Sequence, residues 1–139
     1  VLTAEIAQRV ASIRAAADRV AAQAPARVTR ERDRLRTSVT QLLDGIAMDE
    51  QRVAQEIAVL ADRLDITEEL VRLRAHLDVT DAALAEGLPV GKRLGFIAQE
   101  LGREVNTIGS KANDAVIAHE VVGMKGELEK IREQLENLE

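Results

Sequence analysis

One periodic stretch limits what this chain can fold into more than any other. Ile117, Val121, Met124, Leu128, Ile131, Leu135 and Leu138 step by 4, 3, 4, 3, 4 and 3 residues. That is the a/d seam of a helix over three heptads, and it predicts a helix over roughly 112–139. Glu127, Glu129 and Glu133 charge its flanks. A seam of this length must bury against another helix. The partner is either a preceding helix, in a long antiparallel hairpin, or a second copy of the chain; the spacing leaves both open.

Composition points the same way. Hydrophobic residues make up 46% of the 139, charged residues 31%, and Phe96 is the single aromatic. Ala, Val, Leu and Ile with abundant charge suit long helices packed along their lengths, not a compact core of large rings. No segment reads as a strand. The expected fold is all-α: long amphipathic helices in hairpins or a bundle, closed by the coiled-coil-like helix at the C-terminal end. The chain lacks Cys, which excludes a disulfide scaffold and a thiolate metal site. No run of about 18 apolar residues is present, so no membrane-spanning helix is expected. The first residues, VLTAEIAQRVASIRAAADRV, lack the pattern of a signal peptide. The absence of an initiating Met points to residues preceding Val1.

Other segments carry their own helical signals. Ile6, Val10, Ile13, Ala17, Val20 and Ala24 form a stripe, predicting a helix over 3–23 with Thr3 as N-cap. Pro25 is expected to end it. A second helix is expected over 26–43, on Val28, Leu35, Val39 and Leu42. Asp44-Gly45 breaks the pattern, and Asp49 is placed to cap a third helix over 50–63 with Val53, Ile57, Leu60 and Leu64 on its apolar side. Thr67, followed by Glu68 and Glu69, opens a fourth over 67–86, with Leu70, Leu73, Leu77 and Leu84 as its stripe. Gly87 and Pro89 stop it, and a fifth helix is expected over about 90–108.

Net charge is −5 overall, which argues against non-specific nucleic-acid binding by the whole surface. The charge is unevenly spread. Residues 1–48 carry eight Arg and five acids, net +3; residues 49–86 carry four Arg and ten acids, net −6; residues 87–139 carry seven Lys or Arg and nine acids, net −2. Arg27, Arg30, Arg32, Arg34 and Arg36 with Glu31 and Asp33 read either as a phosphate-contacting face or as a solvated helix with internal ion pairs.

The richest chemistry lies in LGFIAQELGREVNTIGSK, residues 94–111. Gln99, Glu100, Arg103, Glu104, Asn106, Thr107, Ser110 and Lys111 fall within 13 residues, with a Gly-Ser-Lys turn expected after Ile108. Glu100 and Glu104 are one helical turn apart, as are Gln99 and Arg103. Two carboxylates so placed repel unless a cation lies between them. Arg103 is one such cation. A hard divalent ion, Mg²⁺ or Mn²⁺, is the other, positioned to polarise a phosphate. Arg103 and Lys111 would then hold phosphate oxygens. His76, in RLRAHLD, flanks the stripe of the fourth helix, and His119 follows the expected turn. No P-loop, GxGxxG, HExxH or Ser-His-Asp pattern is present.

These residues also carry a resemblance. VGKRLGFIAQELGREVNTIGSKANDAVIAHEVVGMKGELEKIREQLENLE, with the motif QExxRExNTxGSK and then KxELEKIREQ, resembles the C-terminal signature of the bacterial YicC/YloC family. RVAQEIAVLADRLDITEELVRLRAHLD resembles the segment before it, so the likeness runs from about Asp49 to Glu139. The division expected is a helical hairpin over 1–48 leading into a C-terminal helical domain over 49–139. The resemblance implies a cytoplasmic, divalent-cation-dependent endoribonuclease acting on RNA, assembled as a homo-oligomer, a hexamer, with no membrane association. It also implies an N-terminal α+β domain that this chain lacks. On it we carry over Glu100, Glu104 and His76 as catalytic residues and metal ligands for Mn²⁺ or Mg²⁺. Arg103, Lys111, Gln99, Asn106, Ser110 and Arg72 are carried over as RNA or phosphate contacts, with Glu69 a further motif residue. The alternative is a non-catalytic helical module for oligomerisation or for binding RNA or a nuclease. Four glycines depart from the family pattern: Gly95 and Gly102 stand where Asp and Asn are usual, Gly123 and Gly126 where Glu and Ala are.

Overall fold

The computed structural model describes residues 2–46, 49–86, 91–112 and 114–138. Those residues form five helices and no strand: α1 (Leu2–Leu42), α2 (Glu50–Leu64), α3 (Thr67–Glu86), α4 (Gly91–Ala112) and α5 (Ala115–Leu138). The all-α expectation is met.

Four antiparallel pairings close a bundle. The first half of α1 lies along α5, where Arg9 pairs with Glu127 and Arg19 with Glu120. It lies along α3 on its other side, through Arg14 with Asp78 and Asp81, and Arg74 with Asp18. α4 packs between α3 and α5 on the far side. These ion pairs are largely exposed, each worth up to about 1 kcal/mol, so they set register more than stability. The stability comes from the filled interior. Ile6, Val10, Ile13 and Val20 of α1 meet Leu73 and Leu77 of α3, Leu101, Val105 and Ile108 of α4, and Ile117 and Met124 of α5 in one continuous core. Burying each of these larger aliphatic side chains contributes about 1.5–3 kcal/mol.

The heptad helix is resolved by this packing. Ile117, Val121, Met124, Leu128, Ile131 and Leu135 are all buried inside the chain, against α4 and α1. The seam therefore closes a hairpin and a bundle within one copy. The Leu138 side chain lies outside the described residues, as do Gly87 and Pro89.

The expected break at Pro25 is not found. α1 is one helix of 41 residues with Pro25 inside it, so residues 2–42 do not form a hairpin. Proline removes a single helical N–H and crowds the preceding turn. Here both flanks are held: Ala17 and Val20 in the bundle core before it, Arg27 buried after it. Thr3 is consequently inside α1, not its cap. Beyond Arg30, which still pairs with Asp114 at 3.0 Å, the helix runs on with α2 to make an arm. Gly45, at φ +75°, helps turn the chain there, a conformation that costs glycine little. Asp49 caps α2 as expected, accepting from the Arg52 N–H at 3.2 Å. Ile57 and Ala61 are the buried residues of α2.

Two further boundaries differ from expectation. Thr67 does not cap α3 with its own side chain; Asp65 Oδ1 accepts from the Thr67 N–H at 2.9 Å and from its hydroxyl at 2.5 Å. α4 does not end at Ile108 but runs through Gly109-Ser110-Lys111 to Ala112. Ile108 and Ala112 lie one turn apart on the buried face, so the core holds that last turn helical. Asp114 then starts α5, its Oδ1 accepting from the N–H groups of Val116 and Ile117 at 2.9 and 3.0 Å.

Candidate functional site

The polar residues of α4 divide between two faces, because a helix repeats every 3.6 residues. Glu104 and Lys111, seven residues apart, point toward α3. Gln99, Arg103, Asn106 and Ser110 point to solvent.

The inward group forms an ionic cluster with α3. Arg72 Nε donates to Glu104 Oε1 at 3.0 Å. The same guanidinium approaches Glu68 at 3.6 Å and Glu69 at 3.7 Å. Lys111 Nζ donates to Glu69 Oε1 at 2.6 Å and reaches the Asp65 carbonyl at 3.5 Å. Glu69 and Glu104 are both buried, and Glu69 Oε2 has no partner among the described residues. A buried carboxylate needs such cations, since desolvation alone would neutralise it. The hydrogen bond from Arg72 to Glu104 raises the guanidinium above its ordinary pKa. Thr67, through its hydroxyl and then its backbone N–H, holds the Asp65 carboxyl below its ordinary value, with Lys111 and Arg27 adding to the effect.

Each expected site residue has a defined place. Glu104 joins Arg72 and Lys111 in the cluster. Glu100 is half-buried, 3.8 Å from the exposed Arg103. Ser110 Oγ donates to the Thr107 carbonyl at 3.0 Å. Gln99 and Asn106 are exposed, and His76 is half-buried one turn beyond Arg72 on α3. Among the described residues no group of three His, Asp or Glu side chains is placed to hold a metal ion.

Arg27, read from the sequence as part of a phosphate-contacting or solvated basic face, belongs to neither. Its side chain is buried, and its Nη2 donates to the Leu64 carbonyl, at the C-terminal end of α2. Burial lowers its pKa, opposed by the charges of Asp114, Glu31 and Asp65. The signal was available: Arg27 continues the Ile6 to Ala24 stripe three residues on, so it had to face the interior. Arg132 was missed. Its guanidinium lies over Gly102: an added Cβ there would meet Arg132 Nη2 at 2.9 Å, so any larger residue would displace the arginine's tip.

The family described as endoribonuclease YicC-like, C-terminal, matches residues 20–139. A protein of Clostridioides difficile strain 630, named probable endoribonuclease YicC, is 44% identical over 109 residues, covering 78% of this chain and 37% of that protein. A protein of Haemophilus influenzae strain Rd with the same name is 43% identical over 135 residues, covering 96% of this chain and 46% of that protein. The chain spans less than half the length of these curated relatives. With its motif residues set on α3 and α4 and the match running over most of its length, the chain belongs to the YicC-like family and corresponds to its C-terminal domain.

Proposed function

We propose that this chain is the C-terminal helical part of an endoribonuclease that cleaves phosphodiester bonds in RNA. The observation that carries the reading is the split of α4: a row of exposed amide, hydroxyl and guanidinium groups stands beside two buried carboxylates held by the more exposed cations Arg72 and Lys111. The exposed row, Gln99, Arg103, Asn106 and Ser110, offers donors to phosphate and sugar oxygens. The cluster supplies acid–base groups held in place by Arg72 and Lys111. In this reading Glu100, Glu104 and His76 act on the scissile phosphate, and Arg72 and Lys111 supply positive charge at its oxygens. Dependence on Mn²⁺ or Mg²⁺ is proposed from the family likeness. An N-terminal α+β domain would complete the full-length protein, a cytoplasmic homo-oligomer and specifically a hexamer.

The test is cleavage of labelled RNA by the full-length protein and by this chain, with Mn²⁺, with Mg²⁺ and with EDTA. Loss of cleavage in Glu100→Gln/Glu104→Gln, with helicity retained by circular dichroism, is the expected result. Undiminished cleavage by that variant would overturn the site assignment.

A second reading has its own observation. Leu42, Ile46, Val59 and Leu60 are exposed at the arm, more apolar surface than a free helical hairpin needs. A non-catalytic module for assembly or for binding RNA or a nuclease would use such a surface. RNA binding without cleavage under any metal condition would favour it.

A further inference from the structure

We infer that the outer face of α4 is a track for single-stranded RNA, with Phe96 as a base-stacking platform and Arg132 of α5 as an added phosphate contact. The inference rests on the endoribonuclease reading for the identity of the polymer, and it adds two residues and a strandedness which that reading does not contain.

Lys92, Phe96, Gln99, Arg103, Asn106 and Ser110 step by 4, 3, 4, 3 and 4, and all six are exposed. They form one line about 27 Å long at 1.5 Å per residue. The line holds two cations, two amides, one hydroxyl and one ring, and no acid, in a chain of net charge −5. Phe96 is 65% exposed although it is the only aromatic side chain. A core that uses no ring elsewhere has no packing reason to place this one in water. An exposed ring flanked by cations and amides is what unpaired bases require: a face to stack on, charge for the backbone, and donors for base edges. An interface for a second protein would instead concentrate apolar side chains and exclude charge at its centre.

Beside the line, α4 and α5 leave a groove of about 270 Å³. Gly91 and Gly95 floor it, Lys92 and Gln99 edge it from the track, and Arg132 and Glu136 line the α5 side. Nothing lies within 4 Å of a Cβ built on Gly95, so the groove is open there. The Arg132 guanidinium lies over Gly102. Acids are near: Glu136 lines the groove, Glu129 is 3.9 Å from Arg132 and Glu100 is 3.8 Å from Arg103. Such long, exposed ion pairs are worth little and give way to a phosphate. Gly95 thus leaves open a recess that holds Lys92 and Arg132 alongside the line of exposed residues.

The experiment measures binding of a fluorescent single-stranded RNA by this chain in EDTA, so that cleavage does not enter. Phe96→Ala should weaken binding by roughly five- to a hundredfold, the range for loss of one stacked base. Phe96→Tyr should bind as the parent does, and Phe96→Leu, which keeps apolar bulk but no ring, should bind as Phe96→Ala does. Arg132→Ala should weaken binding and reduce the salt slope by about one. A duplex of the same sequence should bind more weakly and be indifferent to Phe96. Equal binding by the parent and Phe96→Ala would overturn the track, as would a Phe96 effect confined to sedimentation, which would make the ring a contact between copies. If RNA is cut but binding ignores Phe96, the track fails and the nuclease reading stands. If binding depends on Phe96 and no RNA is cut, the reverse holds.

Discussion

Lys111 Nζ lies 2.6 Å from Glu69 Oε1, and the Glu69 side chain is only 4% exposed. This lysine is therefore the counter-charge of a buried carboxylate. Lys111→Ala should destabilise the chain by about 1–3 kcal/mol, because it leaves the buried Glu69 with only the longer contact to Arg72, at 3.7 Å. Glu69→Leu/Lys111→Met should recover most of that loss. Urea unfolding of the two variants checks this. A Lys111→Ala midpoint equal to the parent's would mean that the pair contributes nothing.

Arg27 joins the bundle to the arm. Its guanidinium satisfies the Leu64 carbonyl, one of the orphan acceptors at the end of α2. Arg27→Ala should cost about 3 kcal/mol through the cavity and the lost donor. Arg27→Met keeps the volume and removes the buried charge, and should cost much less. Equal losses in thermal unfolding would show that the hydrogen bond, not the packing, dominates.

Pro25 sits in an otherwise uninterrupted helix, where it removes the N–H that would bond Ala21. Pro25→Ala restores it and should raise stability by about 1–3 kcal/mol. Were α1 instead two helices meeting at Pro25, the substitution would leave the melting temperature unchanged or lower it.

Asp65 makes the fold sensitive to acid. Hydrogen bonds from Thr67 lower its pKa in the folded chain, while the unfolded value is about 3.9. Its ionised form therefore adds stability above about pH 4, and that stability is lost as pH falls through the folded pKa. Asp65→Asn should melt below the parent at pH 7. The gap should narrow as the pH is taken below about 4. A gap independent of pH would exclude this source.

The helices themselves were legible in the sequence where local chemistry decides them. Asp49 marked the start of α2, the Leu70 to Leu84 stripe marked α3, and the heptad residues marked α5. Misreadings occurred where packing overrides local preference. Pro25 and Gly109-Ser110 both look like breaks, yet the core holds Val20, Ile108 and Ala112 on either side of them. The motif drew attention to the polar residues of α4, but pattern rules see only neighbours on one helix. Glu104 finds Arg72, 32 positions away, and Lys111 finds Glu69, 42 away. Those partnerships exist only after α3 and α4 have folded together.

The pairing of α1 with α5 also bears on how the chain reaches this structure. Arg9 meets Glu127 across 118 positions, and the core side chains of the first helix rest on the last. During synthesis α1 emerges while its principal partner is still unmade, and closing so long a loop is entropically slow. Until α5 arrives, Ile6, Val10 and Ile13 lack half of their cover. These helices are thus most vulnerable to aggregation at α1, and acquire their protection only as α5 is completed.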